Sequence, residues 1–160
     1  MNILKRINFQ IIPVQIFLFA FWFKNGFIDK FFGVTIAAFN PTESNKGDSW
    51  AGWESYITGG WNKSEVAHTL FTPAYDILFP VIIFLQCLPA VMIIIAILKC
   101  EFMHNENNDF TKRAATTSLF VTSVLLFSQT IAGSSDGQYL WQLLGLGMVL
   151  IMYIKAINKS

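Results

Sequence analysis

Charged and amide side chains beside the apolar runs are the residues of this sequence best placed to do chemistry. Asp29 and Lys30 end the polar stretch 24–30, which follows a long apolar run. Asp76 and Gln86 lie at the start and in the middle of the next run. Charged groups close to hydrocarbon are costly, so they often mark a functional site. These four are the candidate ligand-binding residues, able to hold a polar head group by hydrogen bonds.

A structural explanation of the same residues stays open. Lys24 and Lys30 can extend their ammonium groups to lipid head groups while the acids remain hydrated. Gln86 can make hydrogen bonds between packed helices instead of lining a cavity. A cavity beside Gln86 would favour binding, whereas close packing would favour the structural explanation.

The histidines and cysteines argue against a metal or haem centre. Cys87 and Cys100 lie on one predicted helix about 20 Å apart, too far for a disulfide. His68 and His104 fall on opposite sides of the predicted topology, so they cannot ligate one haem. The sequence contains no CxxC pair, phosphate-binding glycine loop or dinucleotide fingerprint. We expect no metal site and no covalently bound cofactor, and we do not expect haem.

Composition explains why the candidates are so few. Apolar residues make up 54% of the 160 residues and charged residues only 13%, about half the usual share. The net charge of +1 provides no field to attract nucleic acid. These values exclude a disordered chain and a basic nucleic-acid binder. They predict an integral membrane protein in contact with the lipid bilayer.

Four apolar stretches predict an all-α membrane four-helix bundle that forms a single domain over residues 1–160. The expected helices and the long outer loop are at about 9–33, 73–98, 112–132 and 137–157, with the loop at about 40–71. A membrane helix needs about 20 mostly apolar residues. The first run could also be a signal peptide, but no small-x-small cleavage site follows Phe23, so we expect a retained helix.

Basic residues predict the orientation of these helices. Seven of the eleven fall on one side of the topology: Lys5, Arg6, Lys99, Lys112, Arg113, Lys155 and Lys159. The positive-inside rule therefore places both termini in the cytoplasm. The expected location is the cell membrane, as a multi-pass protein of a bacterial or archaeal plasma membrane.

Aromatic and small residues are expected to anchor and pack the helices. The outer loop carries four aromatic residues that could anchor a lid at the membrane interface or form a docking surface: Trp50, Trp53, Tyr56 and Trp61. Small residues let helices approach closely, and the expected packing positions are Gly26, Ser118, Thr122 and Gly145.

The layout resembles the DoxX/DoxD-like family of small four-helix membrane proteins. The first matching segment is Phe23–Phe31, where an aromatic-rich run ends in a glycine, three residues and a lysine. The second is Thr111–Ala115, where basic residues precede small ones, and the third is Asp136–Leu150, where an Asp-Gly turn opens a leucine- and glycine-rich helix. The chain departs from the family in its longer first loop, and in having Gln86 and Pro89 where the family often has an acid and glycines.

The resemblance implies a membrane subunit that supports a quinone-linked redox enzyme, because relatives include the membrane subunit of thiosulfate:quinone oxidoreductase. It implies that Lys30 would contact a bound quinone, and that other membrane or peripheral subunits are the partners. A non-catalytic accessory or scaffold subunit of a larger membrane complex is the alternative. A small transporter is a weaker hypothesis, since the sequence shows no continuous polar stripe through the bilayer. Whether the chain has an activity of its own stays open.

Overall fold

The structure is a computed structural model that describes most of the predicted helical segments. The described residues are 7–28, 30, 69, 73–103, 107–132 and 137–157. Asp29 and the four predicted interface anchors lie outside them; these anchors are Trp50, Trp53, Tyr56 and Trp61. The predictions about these five residues therefore stay predictions.

Four α-helices make up nearly all of the described chain. They are α1 (Ile11–Phe23), α2 (Tyr75–Leu98), α3 (Asp109–Ala132) and α4 (Gly137–Ile157), and a π-helical turn over Lys24–Ile28 continues α1. The described residues form no strand beyond an isolated bridge between Ile7 and Met103. The all-α prediction is therefore confirmed for the part of the chain that the structure describes.

Two segments are long and apolar enough to cross a membrane, Ile11–Ile28 and Asp76–Leu98. Only 28% of each segment is buried within the bundle, which differs from the core helix of a soluble protein. α3 carries several hydroxyl and charged residues, and the apolar part of α4, Trp141–Lys155, is shorter. The structure therefore supports membrane association through two helices.

Two side-chain hydrogen bonds set the register between α1 and α3. The Gln15 amide donates to Thr111 Oγ1 at 2.9 Å, and the Trp22 indole N–H donates to Ser118 Oγ at 2.8 Å. In both pairs the partners are 96 residues apart in the sequence. α1 and α3 therefore run parallel, because the same offset holds over two helical turns.

α2 runs antiparallel to α1, and backbone contacts near both ends define this arrangement. Before α1 begins, the Asn8 N–H donates to the carbonyl of Phe102, which follows α2, at 2.7 Å. Beyond the other end of α1, Gly26 packs against the backbone of Gln86. We call the first end of the bundle the Glu101 end and the second the Lys30 end.

The core between the helices is apolar, and every helix contributes to it. Its fully buried members include Leu18 and Trp22 of α1, Ile93 of α2, Val121 of α3 and Leu143 of α4. Large apolar side chains also point away from the bundle on all four helices. The bundle therefore buries one face of each helix and exposes another that is equally apolar, as a lipid environment allows.

α2 ends at the Glu101 end in a Schellman motif. The Cys100 N–H donates to the Ile97 carbonyl at 2.9 Å, and the Glu101 N–H donates to the Ala96 carbonyl at 3.0 Å. This pattern requires a left-handed residue after the helix, which is usually glycine. Here Cys100 adopts that conformation, with φ at 56°. The tight turn brings Glu101 directly back toward the bundle.

Glu101 caps the first turn of α3. Its carboxylate accepts hydrogen bonds from the backbone N–H groups of Phe110 at 2.8 Å and Thr111 at 2.9 Å, and from the Thr111 hydroxyl at 2.9 Å. The first N–H groups of a helix lack partners within it, and a carboxylate there also suits the helix dipole. With this cap α3 begins at Asp109, earlier than the predicted residue 112.

Candidate functional site

The structure separates the predicted ligand-binding residues into buried and exposed ones. Lys30 is 7% exposed and Gln86 only 1% exposed, so both lie within the bundle. Asp76 is exposed in the first turn of α2. The interior therefore holds an amine and an amide, and Asp76 does not share their burial.

Gly26 lets α1 and α2 approach closely at the Gln86 position. A Cβ at residue 26 would lie 2.8 Å from the Gln86 carbonyl carbon and 3.0 Å from the Cys87 nitrogen. Atoms at such distances would overlap with the backbone of α2, so the approach requires a glycine. Gly26 lies in the π-turn, a rare helical feature that is frequent at functional sites.

Two polar oxygens at this level are buried without a hydrogen-bond partner among the described residues. They are Oε1 of Gln86 and Oγ1 of Thr122, and each residue is 1% exposed. Buried polar atoms are nearly always hydrogen-bonded, so an unpartnered one needs an explanation such as a bound water or ligand.

The register places Gln86 and Thr122 at the same height in the bundle. The Thr117 hydroxyl donates to Met92 Sδ at 3.6 Å across the antiparallel helices α2 and α3, which puts Thr122 near the height of Gln86, the residue that Gly26 contacts. Lys30 lies four residues beyond Gly26, about one helical turn toward the Lys30 end. We call these four residues from three helices the Gln86 site.

Pro89 interrupts the backbone hydrogen bonds of α2 close to Gln86 in the sequence. Proline has no N–H, so the regular hydrogen bond from residue 89 to the Leu85 carbonyl is missing in α2. The Gln86 site therefore lies beside an irregular part of α2 and combines the Gln86 amide with the buried residue Lys30.

Buried polar residues continue from the Gln86 site to the Glu101 end. They belong to α1, α2, α3 and the residues just beyond their ends, and we call them the polar seam: Gln15, Lys30, Gln86, Glu101, Thr111, Ser118 and Thr122. On α1 the seam extends from Gln15 to Lys30, about 22 Å at 1.5 Å per residue. No single helix carries all of it, which is why the sequence shows no continuous polar stripe.

The predicted packing residues differ in their surroundings. Ser118 and Thr122 are buried, and Gly26 makes the close contact described above. A Cβ at Gly145 would meet no described atom within 4 Å. At Gly147 a Cβ would lie 3.8 Å from the Thr122 methyl carbon, so this glycine faces α3. Among the helical glycines the tightest contact is therefore made by Gly26.

Sequence reasoning missed the group of polar residues at the Glu101 end. Glu101, Thr111 and Gln15 form a hydrogen-bonded chain. One signal was available, because Glu101 is an acid that closely follows a long apolar run. An acid in such a place often has a buried partner.

Comparisons of the sequence with protein-family models and with curated proteins, and of the structure with solved structures, find no match. The DoxX/DoxD-like resemblance therefore stays a prediction. The functional interpretation of the Gln86 site rests on its residues and their geometry.

Proposed function

We propose that this chain is a small multi-pass membrane protein that acts as the membrane subunit of a quinone-linked redox enzyme. The observation that carries the proposal is the Gln86 oxygen, buried and without a described hydrogen-bond partner, close to the buried Lys30. An unpartnered acceptor in an apolar bundle is costly, so a group that binds there would be favoured.

A quinone ring fits the chemistry of the Gln86 site. Bound there, it would supply a carrier of two electrons and two protons for a partner enzyme. Lys30 would donate a hydrogen bond to one ring oxygen, and Gln86 Oε1 would accept one from a ring hydroxyl. No catalytic residue is assigned to this chain.

Aromatic side chains beside the site suit an apolar quinone tail. Phe19, Phe23 and Phe27 stack along α1 toward the Lys30 end, with ring centroids 5.1 and 5.3 Å apart. Phe23 and Phe27 are partly exposed on the side of the bundle that faces outward. This stack would contact both lipid chains and an isoprenoid tail.

Charge at the Glu101 end supports a cytoplasmic position for that end. Lys99 and Arg113 lie over the ring of Phe110, with Lys99 Nζ 4.5 Å and Arg113 Cζ 5.5 Å from its centroid. Basic groups near the ends of membrane helices favour the cytoplasmic side. The proposed topology has four crossings with both termini inside. Gln86 and Thr122 then lie near the middle of the bilayer, and Lys30 lies toward its outer side.

Quinone content of the purified protein tests the proposal. The full chain is purified in mild detergent as wild type and as Gln86→Leu, and quinone is extracted and quantified by chromatography. We expect about one quinone per wild-type chain and a loss of at least tenfold in Gln86→Leu. Gln142→Leu is the matched control, because Gln142 is exposed on α4 and its replacement should leave the content unchanged.

A wild-type protein that purifies intact and carries no quinone would contradict the proposal. Equal quinone content in Gln86→Leu and wild type would instead show that quinone binds elsewhere than at the Gln86 site. Mass spectrometry of the same samples identifies any protein subunits that co-purify.

The alternative is a non-catalytic accessory or scaffold subunit of a larger membrane complex. One observation favours it: Trp141, Met148 and Met152 are strongly exposed and share one face of α4. An apolar face of this kind suits contact with another subunit as well as with lipid. Stoichiometric partner subunits without quinone in the purified sample would support this alternative.

A further inference from the structure

We propose that Thr122 completes the Gln86 site, and that the site prefers the reduced, hydroxyl-bearing form of the ring over the oxidised form. This inference rests on the proposed function, since the ligand is the quinone couple of the membrane. It goes further by adding a residue from α3 and by naming which member of the couple is held.

Thr122 has a buried hydroxyl without a described hydrogen-bond partner, unlike several other hydroxyl residues of α3. The hydroxyls of Thr116, Ser123 and Ser128 each donate to the backbone carbonyl four residues earlier, at 2.9 to 3.0 Å. This is the usual arrangement for serine and threonine in helices. Thr122 does not make this bond, although it is 1% exposed and cannot turn to water. Its hydroxyl is therefore available to a group between the helices.

The two unpartnered atoms of this site decide which form of the ring it holds, because Lys30 can donate to a ring oxygen of either form. Gln86 Oε1 can only accept a hydrogen bond. Thr122 Oγ1 can both accept and donate. A ligand that satisfies Gln86 must therefore donate, and a ring hydroxyl does so.

The oxidised ring carries only carbonyl oxygens, which are acceptors. Placed against Gln86 Oε1, it would leave two buried acceptors facing each other without a proton between them. Sites built to hydrogen-bond a hydroxyl reject analogues that lack it by large factors. We therefore expect the reduced ring to bind at least about tenfold more tightly, a conservative value within that range.

Water offers the same O–H donor chemistry, and the experiment must distinguish it from the ring. A single water that donates to Gln86 and accepts from Thr122 would satisfy both atoms. In that case neither form of the ring would bind at the site.

Binding of both members of the couple tests the inference. The full chain in detergent is titrated anaerobically with a short-tail benzohydroquinone and with the matching benzoquinone, and affinity is measured by calorimetry. The variants are Thr122→Val, which replaces the hydroxyl by a methyl group, and Thr122→Ser, which keeps it. Thr116→Val is the matched control, because the Thr116 hydroxyl is exposed and bonded to its own helix.

We expect the wild type, Thr116→Val and Thr122→Ser to prefer the hydroquinone at least tenfold, and Thr122→Val to lose most of that preference. Equal affinity for both forms in the wild type, or unchanged preference in Thr122→Val, would overturn the inference and leave the proposed function standing. Binding of neither form would overturn both and indicate a water only. Thermal unfolding of each variant shows whether it is folded, and Thr122→Ser keeps the test decisive if the valine variant is not.

Discussion

Glu101 provides a strong test of how the bundle is held together, because its backbone N–H closes α2 and its buried carboxylate caps α3. It accepts three hydrogen bonds from α3 and lies directly after the end of α2. Glu101→Ala removes these acceptors and leaves two backbone N–H groups buried. A helix cap contributes about 0.5–2 kcal/mol, and a hydrogen bond to a charged group about 1.5–3 kcal/mol. We expect the variant to lose about 3–5 kcal/mol of unfolding free energy, because two backbone N–H groups and one hydroxyl each lose a charged acceptor at about 1–3 kcal/mol.

Reversible unfolding in mixed micelles, followed by circular dichroism as a denaturing detergent is added, measures this loss. The unfolding free energy of Glu101→Gln should lie between those of the wild type and Glu101→Ala, because one acceptor oxygen remains while the amide NH₂ faces a donor. Asp109→Asn is the control for charge alone. Asp109 lies exposed in the first turn of α3, so Asp109→Asn should lower the unfolding free energy by less than about 1 kcal/mol.

The prediction rests on Glu101 being a specific cap and not merely a negative charge at the helix start. A loss below about 1 kcal/mol in Glu101→Ala, within the range of dipole effects alone, would refute it. Equal losses in Glu101→Ala and Asp109→Asn would refute it as well, because only one of these two side chains is buried.

Two further substitutions test the close packing and the helix end. Cys100→Gly should stabilise the protein by about 1 kcal/mol, since glycine adopts the left-handed conformation without steric cost; the same micelle titration measures it, and a destabilised variant would contradict the Schellman assignment. Gly26→Ala should destabilise by about 1–3 kcal/mol, because its Cβ would overlap with the α2 backbone. Gly145→Ala is its control and should be neutral or stabilising by up to about 1 kcal/mol, because a Cβ there meets open space. Equal effects at the two glycines would argue against the contact.

The helices could be predicted from the sequence because their signal is local. Long apolar runs indicated all four, and the glycine-to-lysine spacing pointed to the segment after α1, where Gly26 contacts α2 and Lys30 is buried. Asp76 and Lys30 looked equivalent in the sequence as charged residues beside apolar runs, yet one is exposed and the other buried. Burial depends on which face a neighbouring helix covers, and that information is not contained in any single segment.

The partners within the site could not be predicted for a similar reason. Thr122 becomes a candidate only once the register between α2 and α3 is known, since that register brings it near the height of Gln86. The capping role of Glu101 depends on the left-handed turn at Cys100, and a cysteine there gives no signal of such a turn. Contacts between distant segments therefore decide the site, while composition decides only the helices.

The two hydrogen bonds between α1 and α3 have a mechanical consequence. Because Gln15 and Trp22 are both tied to α3 at one offset, α1 cannot slide along its axis without breaking both bonds. Movement at the Lys30 end must therefore begin after Trp22, in the π-turn Lys24–Ile28. A π-turn holds one more residue than an α-helical turn, so its conversion to α-helix would rotate the following residues by about 100°. Such a rotation would turn Lys30 away from Gln86 while the rest of α1 stayed in place.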